Sequence, residues 1–185
     1  MKRKLKAEEL LSSMELSSSA SYSSTRRIFS MGYFASYSCR RISSTSCFVT
    51  LSERKTRYYV AMKLPDKKAA TVEDAIVQIL SRFPAPLVKT ITCDRGTEFA
   101  NWANIEQRLN CDVYFADPYG AWQKGSVENS NGLLREFYPK GRNLSRVAPA
   151  TLKQNLALIN ARPRKVLNFC SAQFLWDLEL RNCCT

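Results

Sequence analysis

From Cys47 onward the chain alternates short β-rich runs with helical runs, and that alternation confines it to few architectures. Cys47–Leu51 (CFVTL) has a strand pattern, Glu53–Thr56 (ERKT) a turn pattern, and Arg57–Leu64 (RYYVAMKL) a second strand pattern, so the pair reads as a hairpin. Thr71 is a candidate N-cap, with Glu73 and Asp74 placed where a helix dipole favours acids. Val72, Ile76, Ile79, Leu80 and Phe83 share one helical face, and Pro84 and Pro86 end the helix. Leu87–Cys93 reads as a buried strand closing on Asp94-Arg95-Gly96. A helix follows at Ala103–Leu109, then a strand at Asp112–Phe115 and a loop over Asp117–Gly125. Helices at Val127–Phe137 and Thr151–Ala161 and a short one over 171–180 complete the series. Strands alternating with helices predict an α/β fold, a mixed sheet with helices on both faces.

The chain ahead of Cys47 has a different character. Residues 12–46 hold fourteen serines and no aspartate, a composition typical of linkers and disordered segments. Its strand-like pieces are short, Arg27–Phe29 and Gly32–Tyr37, and Lys2–Leu11 is a candidate short helix. The expected organisation is an atypical Ser-rich segment over 1–46 and one domain over 47–180.

Lysine and arginine exceed the acids by twelve charges, which fits a polyanionic partner such as nucleic acid, or simply a basic soluble protein. No run of apolar residues is long enough for a membrane span, and no secretory signal is expected. Seven scattered cysteines without a C-x-x-C pair argue against a disulfide framework or a zinc site, and fit a reducing cytoplasm. There is no histidine, so any catalysis rests on carboxylates or lysines.

Two carboxylates stand out by position. Asp94 lies at the carboxyl end of a strand, where α/β sheets place ligands, and Glu128 lies in the first turn of a helix. Thirty-three residues separate them, and the intervening helix and strand return the chain to the same end of the sheet. Acids so placed suit two Mg²⁺ ions about 3.5–4 Å apart, which stabilise the attacking and leaving oxygens of a phosphodiester. Each residue taken alone also reads as a turn former or as a partner of the helix dipole.

The runs TITCDRGTEFA at 90–100, VYFADPYGAWQKGSVENSNGLLREFYPKG at 113–141 and NARPRKVLNF at 160–169 occur in order. Together, over residues 48–169, they resemble the DDE transposases, most of all the insertion-sequence-thirty family. The resemblance implies a ribonuclease-H-like fold shared with retroviral integrases. It implies DNA cleavage and strand transfer with two Mg²⁺ ions, Asp94 as the second catalytic acid and Glu128 as the third. Implied partners are DNA and further copies of the chain. Trp122, Gln123 and Lys124 on the loop before Glu128 are candidate DNA contacts by stacking and phosphate pairing. Asn131 and Arg135 share the helical face of Glu128, and Arg162, Arg164 and Lys165 form a basic cluster suited to phosphates. A partly buried loop aromatic and a solvated charge run are the plainer readings of these same residues.

The chain departs from the family at the first strand, where the family places its first catalytic aspartate. No aspartate precedes Asp66, and Met14-Glu15-Leu16-Ser17 is only a faint echo of the motif, with serine at the acid's place. The first strand is therefore expected to be missing or replaced, through Arg27–Tyr37 at best. Glu53 or Glu15 would have to stand in for the absent ligand. The composition before Cys47 suggests that 17–46 is read from a shifted frame. That requires another frame upstream of codon 47 to encode a strand with Asp at family spacing. The opening Lys-rich stretch is too short for the family's helix-turn-helix region, and Asn168 and Ser171-Ala172-Gln173 replace its usual glycine and Thr-Pro. The expected function is an inactive transposase core, with a non-catalytic nucleic-acid-binding remnant as the alternative.

Overall fold

The computed structural model describes residues 28–34, 46–117 and 125–183, the first of these as backbone. Five strands form one sheet: β1 Ile28–Phe34, β2 Cys47–Glu53, β3 Tyr59–Leu64, β4 Thr90–Cys93 and β5 Asp112–Phe115, in the order β3-β2-β1-β4-β5. β1 and β3 run antiparallel to β2, whereas β4 runs parallel to β1 and to β5. The helices are α1 Ala69–Leu80, α2 Trp102–Leu109, α3 Gly125–Phe137, α4 Pro149–Ala161 and α5 Ala172–Cys183. The expected mixed α/β sheet with helices on both faces is what forms.

The first strand is replaced, not missing. The Ser-rich segment supplies β1, which occupies the centre of the sheet. Phe29 to Phe34 pair with Glu53 to Phe48 on one side, and Ile28 to Ser30 with Thr90 to Thr92 on the other. The physical reason is the demand from the neighbours. Without β1, both β2 and β4 would present rows of unpaired backbone groups. Strand propensity is set largely by such context, and here the context overrides a linker-like composition.

β2 is buried along its whole length and its alternation feeds two cores. Cys47, Val49 and Leu51 pack with Val72, Ile76 and Leu80 of α1, with Ile91, and with Ile105 of α2. Trp176 of α5 joins this core, stacked on Tyr58 with ring centroids 5.1 Å apart. Phe48 belongs to the opposite core, with Tyr59, Leu134 and Tyr138 of the α3 segment and Leu152 and Ile159 of α4.

Local differences from the expected elements have identifiable causes. α1 begins at Ala69, with Lys68 as N-cap in place of Thr71, so Glu73 falls outside the first turn. Glu73 is buried and accepts from Asn101 Nδ2 at 2.8 Å and Arg108 Nη1 at 3.0 Å, which pins α2 to α1. The expected strand over Leu87–Cys93 divides into a 3-10 turn, Ala85–Leu87, and the shorter β4. Pro149 opens α4, where its missing N–H loses no helical bond.

The edge of β3 is covered by a side chain. Asn160 of α4 accepts from Tyr59 N at 2.9 Å and donates to Tyr59 O at 2.8 Å, satisfying the backbone groups that face away from β2. Tyr59 also donates its hydroxyl to Asn131 Oδ1 of α3 at 2.6 Å. One residue of the edge strand thus fixes both helices on that face.

Candidate functional site

Asp94 follows β4 directly and is partly buried, with Oδ1 shielded from solvent. Ile91 and Cys93 point into the α1-side core, so strand alternation assigns Asp94 to the opposite face. α3 packs on that face, across β1 and β2. Glu128 is exposed in the first turn of α3. The fold therefore brings the two acids to one side of the sheet. Burial first, and then the neighbouring Asp94 carboxylate, push the Cys93 thiol above its ordinary value.

The position beside Asp94 on the central strand carries no acid. Extending the β1–β4 register two residues beyond Ser30–Thr92 sets Gly32 level with Asp94, and Gly32 also pairs with Thr50 across β2. β1 reads IFSMGYF, without a carboxylate. Glu53 does not stand in. It is buried, and its carboxylate accepts from Lys55 N, Thr56 N and Thr56 Oγ1 at 2.9, 2.5 and 2.6 Å, closing the β2–β3 turn. Glu15 lies outside the described residues. Among the described residues no three His, Cys, Asp or Glu side chains converge as a metal site.

Neither backbone nor space strictly requires glycine at Gly96: its φ of −83° is open to any residue, and the atoms a Cβ would meet belong to the flexible end of a side chain. A Cβ there would run into the Glu98 carboxyl group, which folds back over the turn.

The candidate DNA contacts separate into distinct environments. Trp122, Gln123 and Lys124 lie outside the described residues. Asn131 is 7% exposed and committed to the Tyr59 hydroxyl, so its place in the structure is a packing one. Arg135 is exposed on the same side of α3 as Glu128. Arg162 is partly exposed and pairs with Glu136 at 2.8 Å, an interaction that raises the guanidinium's pKa and lowers that of the carboxyl. Arg164 is buried and Lys165 exposed. Arg162, Arg164 and Lys165 line one cleft of about 570 Å³ together with Arg54 and Arg57 of the β2–β3 turn. Those last two arginines escaped sequence reasoning because Arg54 reads only as part of a turn and Arg57 only as the start of a strand; the clustering depends on the α4–α5 connection meeting them in space.

Residues 30–121 match the integrase core domain family. The chain is 42% identical over 130 residues to a probable transposase for the insertion-like sequence element IS1161 of Streptococcus salivarius, covering 70% of this chain and 36% of that protein. It is 37% identical over 124 residues to a transposase for insertion sequence element IS30C of Escherichia coli (strain K12), covering 67% and 32%. The chain thus spans about a third of the length of these curated relatives. Among solved structures, the catalytic core domain of BIV integrase superposes with a TM-score of 0.62 at 16% identity, covering 87% of this chain and 100% of that one. A simian T-cell lymphotropic virus intasome chain gives 0.58 at 15% identity, over 73% and 48%. These likenesses establish the ribonuclease-H-like fold.

Proposed function

The chain belongs to the integrase-core family of transposases, and from that premise we propose that it is a DNA-transposition core that binds DNA but does not cut it. What supports the second half is that β1, the central strand beside β4, holds no carboxylate, and that its register, extended two residues past Ser30–Thr92, brings Gly32 level with Asp94. Transposases and integrases of this family use divalent metal ions. A two-metal centre needs ligands that reach both ions, and Asp94 and Glu128 alone do not meet that need. The residues present therefore do not fit the two Mg²⁺ ions that intact relatives would hold, and no cleavage step is assigned to this chain.

DNA binding rests on the net charge of +12 and on the arginine-rich cleft beside α3. No described helix is long and apolar enough to cross a membrane. The proposed setting is bacterial cytoplasmic DNA, where the chain acts as a monomer or as part of a larger assembly of copies. The test is to incubate the full chain with labelled duplex and Mg²⁺ or Mn²⁺. Salt-sensitive retention of the duplex without nicking is expected. Metal-dependent turnover abolished by Asp94→Ala would overturn the reading. Failure to bind DNA at low salt would overturn its first half.

A further inference from the structure

The cleft between the β2–β3 turn, the start of α3 and the 162–166 segment has a composition that the carboxylate site does not explain. Arg54, Arg57, Arg162, Arg164 and Lys165 line it, and among the described residues no carboxylate does. Among the described residues the one acid paired with this group is Glu136, which meets Arg162 from outside the lining. The cleft takes a neighbouring flank of α3 to Glu128. Gly125, Ser126, Asn129 and Leu133 face it, and at roughly 100° per residue Glu128 lies roughly 100° around the helix from Asn129 and roughly 140° from Leu133.

Arg164 is the decisive residue. It is 9% exposed, and among the described residues its Nε and Nη2 find no acceptor. Its backbone is held on both sides, with N donating to Cys170 O at 3.0 Å and O accepting from Leu167 N at 2.9 Å and Phe169 N at 3.0 Å. A buried guanidinium without an acceptor is costly, and proteins keep such groups neutralised or bonded. Burial first, then Arg57 and Arg162, pull its pKa below the ordinary arginine value. A planar fork of donors, surrounded by further cations and the amino end of a thirteen-residue helix, matches a tetrahedral oxyanion.

We propose that this cleft is a phosphate-binding site, separate from the Asp94–Glu128 face and centred on Arg164, that takes a backbone phosphate of nucleic acid. The inference deepens the DNA-binding reading above and rests on it for the source of the phosphate.

Two probes on the full chain separate the two ideas: inorganic pyrophosphate followed by thermal shift, and a short fluorescent duplex followed by anisotropy across a salt series. The parent chain is expected to gain Tm with pyrophosphate. Arg164→Met is expected to lose that gain while its ligand-free Tm is no lower than the parent's, because an uncompensated buried charge has been removed. The surface pair Arg57→Ala/Lys165→Ala keeps the test open should Arg164→Met not fold, and is expected to blunt the pyrophosphate gain as well. On the duplex, Arg164→Met should reduce the slope of log K against log salt by about 1, the mark of one lost phosphate contact. A retained pyrophosphate gain in both variants would overturn the proposal, as would a lowered ligand-free Tm of Arg164→Met with the gain intact. Duplex binding unchanged in both variants would overturn the site and leave the DNA reading standing. Pyrophosphate binding lost in the variants, with no duplex binding by the parent, would support the phosphate site and sink the DNA reading.

Discussion

Replacing Asn160 by alanine tests how the two helices of the α3 face are held. Asn160 is 2% exposed and Tyr59 fully buried, so removing the amide strands the Tyr59 N–H and C=O away from water. An unsatisfied buried polar group costs about 1–3 kcal/mol. Two such groups give about 2–6 kcal/mol, and water entering the small gap would recover part, which sets the expectation at about 2–4 kcal/mol. That is a large share of the roughly 5–15 kcal/mol that holds a domain together. At this size it corresponds to a Tm lowered by about 5–15 °C. Urea unfolding followed by far-UV circular dichroism and by tryptophan fluorescence gives the number directly. Asn160→Asp keeps the acceptor for Tyr59 N–H but loses the donor to Tyr59 O and introduces a buried charge, so it should lose at least as much. Asn155→Ala, whose partner is the Tyr138 hydroxyl at 2.8 Å in a partly buried setting, serves as a milder control. It should lose about 1 kcal/mol. If Asn160→Ala loses less than about 0.5 kcal/mol, the size of an ordinary surface substitution, the edge-covering role of Asn160 is wrong.

Other outcomes follow from the same geometry. Trp176→Ala removes a buried ring stacked on Tyr58 and set edge-on to Phe83 at 5.0 Å, and should cost about 3–5 kcal/mol in denaturant unfolding. The Asn101 amide, ahead of Arg108 and Asn104, holds the Glu73 carboxyl below its ordinary value of 4.5. Its contribution is therefore full above pH 4.5 and lost as pH falls through the lower folded value, so Glu73→Gln should flatten the acid limb of a Tm-against-pH curve. Gly32→Asp places a carboxylate level with Asp94. It is expected to create a Mg²⁺-dependent rise in Tm that the parent lacks and that Asp94→Ala removes; no such rise would refute the register argument.

The sequence by itself determined the elements and the family. The strand-like run Cys47–Leu51 and the apolar face of α1 are local patterns, and Leu51, Val72 and Ile76 are buried as those patterns require. The ordered motifs around Asp94 and Glu128 also needed no structure, since they are strings of neighbouring residues. Four things were decided only by tertiary structure, because each depends on residues far apart in the chain. The Ser-rich run 28–34 is a strand because β2 and β4 each need a partner, a demand its own composition does not express. Glu73 bonds α2 in place of complementing a helix dipole, because α1 starts earlier than its threonine suggests and brings Arg108 within reach. Asn131 is held by a tyrosine seventy-two positions away, and Asn160 by the same tyrosine. Arg164, which reads in sequence as one more cation in a solvated run, is buried beside Arg57, because the α4–α5 connection folds onto the β2–β3 turn. Periodicity reports which face of an element is apolar; it carries no information on which distant polar group meets that face, and the candidate phosphate cleft is made of such meetings.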